Sequence, residues 1–100
     1  MKTVRLRKVT IVAEALLEER LLRAIRERGA RGFTLAEVRG EGSRGVRASD
    51  WEGKNVRIET LVPAEAAERI LAHVAEAYFP HFAVVAWVED VEVVRGDKYV

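Results

Sequence analysis

Within 100 residues, the spacing of apolar residues changes from two to about 3.6 and back again twice. The clearest change is at Pro63. Before it, Val56, Ile58 and Thr60 share one face of a run whose other face carries Arg57 and Glu59, the sign of a half-buried strand over Val56–Val62. Pro63 suits the first position of a helix, and Ala67, Ile70, Leu71, Val74 and Tyr78 follow as its buried stripe, with Pro80 at its end. The same succession occurs earlier. Val4–Ala13 reads as a strand in which Val9 and Ile11 alternate with Lys8 and Thr10, while Val4 and Leu6 keep the opposite phase, as a separate extension or a bulge would. Leu16–Arg28 reads as a helix on Leu17, Leu21, Ala24 and Ile25. Glu14, Glu18 and Glu19 near its start and Arg26 and Arg28 near its end suit the helix dipole, and Gly29 supplies a stop. Phe33–Arg39 reads as a strand, Phe82–Val88 as the last long strand, and Val91–Val94 as a short final one.

The order is therefore β-α-β-β-α-β. With right-handed crossovers, this predicts an α+β, ferredoxin-like sandwich: a four-stranded antiparallel sheet with two helices on one face. The run FAVVAWV, Phe82–Val88, is apolar on both faces. It fits either a central strand or a subunit interface. The interface is the stronger reading, because large exposed apolar patches are rare on monomers.

The length points to a single domain, residues 1–100. Hydrophobic residues make up 49% and charged residues 33%, a globular balance. No apolar run approaches the roughly 20 residues of a membrane span, and the N-terminus lacks a signal-peptide pattern, so a cytoplasmic protein is expected. Cysteine is absent, which excludes disulfides, thiol catalysis and thiolate metal sites. His73 and His81 read as a helix-surface and a loop residue, and no metal site is expected. Net charge is +1, with arginine outnumbering lysine 13 to 4.

The connection between the second and third strands is unusually long. Gly40–Gly53 spans 14 residues, where hairpin loops usually take about 2 to 5. It opens Gly40-Glu41-Gly42-Ser43-Arg44-Gly45, a literal G-x-G-x-x-G. A dinucleotide fingerprint needs a helix straight after these glycines, but here another strand follows. Arg39, Arg44 and Arg47 outweigh Glu41, and glycines let consecutive N–H groups turn inward around an anion. The loop therefore reads as a solvated turn, a phosphate-binding element or a partner-binding element. Nucleic acid is not expected: strong salt-dependent binding takes about 6 to 10 phosphate contacts, and no strand carries the aromatic pattern of RNA-recognition modules. No Ser-His-acid arrangement stands out, so an enzyme is not expected either.

The motif Gly32, Thr34, Val38, Gly40-Glu41-Gly42-Ser43-Arg44, Val46-Arg47 resembles the PII signalling superfamily, within it the PII-like regulators of bicarbonate transport in cyanobacteria. The similarity runs over roughly residues 8 to 94. It implies a homotrimer of ferredoxin-like subunits that binds an adenine nucleotide in clefts between subunits and uses the long hairpin loop, the T-loop at about 40–54, to dock on a target. By this resemblance Gly32 and Thr34 fall where the base is held. Gly40, Gly42, Ser43, Arg44 and Arg47 fall at the ribose and phosphates, and Glu59 and Leu61 contribute from the side of the base. Trp51 is the candidate partner-docking residue, with packing on its own subunit as the alternative. The glycine-rich loop that wraps ATP phosphates in true PII proteins has no counterpart, since Tyr78-Phe79-Pro80-His81 leads directly into the last strand. AMP, ADP or cyclic AMP therefore fits better than ATP. A membrane transporter is the nearest target, reached from the cytoplasm.

The implied mechanism is a population shift. Charge-assisted hydrogen bonds contribute about 1.5–3 kcal/mol each, so two or three from Arg44 and Arg47 match the roughly 5.5 kcal/mol that swings a two-state loop. The other readings are a ferredoxin-like enzyme with weak nucleotide hydrolase activity and a structural oligomer without a ligand.

Overall fold

A computed structural model describes residues 1–40 and 54–99. Its strands are β1 (Val4–Glu14), β2 (Thr34–Val38), β3 (Asn55–Val62) and β4 (Val85–Val93), and its helices are α1 (Glu18–Glu27) and α2 (Ala64–Ala77). The sheet order is β2-β3-β1-β4, with every neighbouring pair antiparallel. Both helices join one core cluster with Val9, Ile11 and Ala13 of β1 and Val56, Ile58 and Val62 of β3. These strand residues alternate along their chains, so the two helices cover a single face of the sheet. This is the expected ferredoxin-like sandwich.

The helical stripes behave as their spacing predicts. Leu17, Leu21, Ala24 and Ile25 are buried, as are Ala67, Ile70, Val74 and Tyr78, and Leu71 packs at the margin of the core. Full burial of each large aliphatic side chain stabilises by about 1.5–3 kcal/mol. Gly29 ends α1 at φ 116°. Its N–H donates to the Arg26 carbonyl and that of Ala30 to the Ile25 carbonyl, the paired bonds of a Schellman ending. A Cβ at Gly29 would stand 3.0 Å from Cβ of Ala66, so the same glycine also lets α2 approach.

Several boundaries differ from expectation. β1 has no bulge: its register with β4 is continuous from Val4↔Val93 to Val12↔Val85. Leu6 keeps the opposite phase because it is buried, at 2% exposure, on the face away from the helices. The short 3-10 turn Gly96–Tyr99 contacts β1. Pro63 is the cap before α2 rather than its first residue, with φ −64° and ψ 161°. Ala15–Leu17 form a 3-10 turn ahead of α1. The two predicted C-terminal strands are one, Val85–Val93, and Phe82–Val84 precede it. β4 lies at a sheet edge, which removes the central-strand reading of its apolar outer residues.

Candidate functional site

Strand register decides what the open face of the sheet displays. In antiparallel pairs, directly opposed residues point to the same side. The register aligns Thr34 of β2 with Glu59 of β3, Glu59 with Thr10 of β1, and Thr10 with Trp87 of β4. One row across the side away from the helices is thus Thr34, Glu59, Thr10, Trp87. The neighbouring row holds Leu61, Lys8 and Glu89, and the row on the other side holds Ala36, Arg57, Val12 and Val85.

Glu59 is the electrostatic centre of this face. Nζ of Lys8 lies 3.9 Å from Oε2 of Glu59 and 3.4 Å from Oε1 of Glu89. Nε of Arg57 approaches the same Oε2 of Glu59 at 3.5 Å. Thr10 is fully buried between its two neighbours, and its hydroxyl has no hydrogen-bond partner among the described residues. Thr34 is exposed and Leu61 half-buried. On the helix-covered side, the hydroxyl of Thr60 donates to the Gly32 carbonyl at 2.6 Å, fixing the backbone that enters β2. Nothing lies within 4 Å of a Cβ placed on Gly32.

Gly32, Thr34, Glu59 and Leu61 are therefore brought together. Gly40 is not part of that group. β2 ends at Val38, four residues and about 13 Å beyond Thr34, and Gly40 lies further on. Gly42, Ser43, Arg44, Arg47 and Trp51 lie outside the described residues. Lys8 and Arg57 were missed by sequence reasoning. Their one signal was phase: both share a strand face with the residues of the predicted site, but the pairing that brings them to Glu59 is set by register.

The connection from α2 to β4 is packed. Tyr78 is buried, and the N–H groups of His81 and Phe82 donate to its carbonyl at 3.1 and 2.9 Å. The guanidinium of Arg20 stands 5.4 Å from the Tyr78 ring and 5.7 Å from that of Phe82, in cation–π range of both. His73 meets Tyr78 edge-on, so it is less free than a surface histidine. Among the described residues no group of three or more His, Asp or Glu is placed to hold a metal. Among them, too, no helix is long and apolar enough to cross a membrane.

Residues 6–98 match the family of the nitrogen regulatory protein P-II. The chain belongs to the P-II family. It is 58% identical to a protein from Thermus thermophilus assigned to PII-like signalling, over 100% of both chains, with a TM-score of 0.88. It is 25% identical to CPII from Thiomonas intermedia, solved with ADP and bicarbonate, over 99% of this chain and 98% of that one, with a TM-score of 0.86. These similarities place it in the PII-like branch of the family. A B. subtilis GlnK–ATP complex, at 15% identity and a TM-score of 0.67 over 91% of this chain and 85% of that one, shares the fold.

Proposed function

We propose that this PII-like protein is a non-enzymatic sensor of an adenine nucleotide, AMP, ADP, cyclic AMP or ATP. Its nucleotide sits in clefts between the subunits of a homotrimer. Occupancy changes the loop at about residues 40–54, and the loop regulates a target, a membrane transporter such as a bicarbonate transporter being the nearest choice. The protein works in the cytoplasm and is recruited to the membrane by that target.

The observation that carries this reading is the grouping of Gly32, Thr34, Glu59 and Leu61 on the open face of a P-II fold. CPII, bound to ADP and bicarbonate in its own structure, supports the ligand class and a link to inorganic carbon. The exposed Val85 and Trp87 on edge strand β4 support self-association through the same face. In this reading Gly40, Gly42, Ser43, Arg44 and Arg47 hold the ribose and phosphates, and Trp51 meets the target.

Removing either arginine tests the phosphate role. Arg44→Ala and Arg47→Ala each weaken nucleotide binding by about tenfold or more in calorimetric titration, while sedimentation shows the oligomer unchanged. Unaltered affinity in both variants removes the role assigned to them.

A further inference from the structure

We draw no further inference here: the strongest candidate, the exposed apolar patch of Val85 and Trp87 on edge strand β4 beside the buried hydroxyl of Thr10, lies on the face already assigned to self-association, and nothing among the described residues shows what else covers it.

Discussion

Gly32 has open space where a side chain would begin, and its backbone is not in the left-handed region. Its carbonyl is engaged by Thr60, but nothing among the described residues requires its missing Cβ. A glycine there is explained if a ligand approaches closely, as a base held by Gly32 and Thr34 would. Gly32→Ala therefore separates folding from binding. Its melting midpoint stays level or rises, because a compatible alanine stabilises by about 0.4–1 kcal/mol through the unfolded chain. Nucleotide affinity, read by titration, falls severalfold or more. An unaltered affinity would mean that the base does not rest on this residue. The motif residue itself was legible in the sequence. What was not legible is that Lys8 and Arg57 converge on Glu59, since a strand's face follows from its own alternation but its neighbours do not.

Among the elements, the end of α1 shows how one glycine serves two contacts. Gly29 closes the helix at φ 116°, and its bare Cα lets Ala66 of α2 come close. Gly29→Ala combines an unfavourable backbone conformation with a 3.0 Å Cβ–Cβ approach. We expect a loss of about 1–3 kcal/mol, a melting midpoint lower by several degrees or more, read by thermal denaturation. Nucleotide binding at low temperature should persist, since Gly29 belongs to the helical layer and not to the open face. The helices and the order of elements were readable from periodicity because both helices bury a single stripe. The boundaries that shifted are those where tertiary packing overrode local pattern. Leu6 is out of phase with Val9 because β1 buries residues on both faces, Val9 under the helices and Leu6 on the opposite side. β4 reads as two strands in the sequence because Glu89 and Asp90 interrupt its apolar residues, yet Glu89 meets Lys8 and Asp90 meets Arg7 at 2.6 Å. Those cross-strand partners turn an apparent break into a continuous strand.

At the scale of the molecule, the side of the sheet without helices carries the described part of the functional account. It holds Thr34 and Leu61, the Lys8–Glu59–Arg57 group and the exposed apolar residues Val85 and Trp87. Ligand binding and self-association thus share one surface in this account, and edge strand β2 leads from it toward residues 40–54. In the proposed reading, a nucleotide held between subunits would couple that surface to the loop. The packed α2–β4 connection, where Arg20 lies against both Tyr78 and Phe82, provides no glycine-rich loop to wrap a triphosphate. The affinity order should then favour the shorter phosphate chains. The most direct measurement is calorimetric titration of the purified protein with AMP, ADP, cyclic AMP and ATP in turn. The account predicts micromolar binding of at least one, close to one ligand per chain, with ATP not the tightest. Absence of binding by all four would contradict it, leaving a P-II fold whose open face answers to something other than an adenine nucleotide.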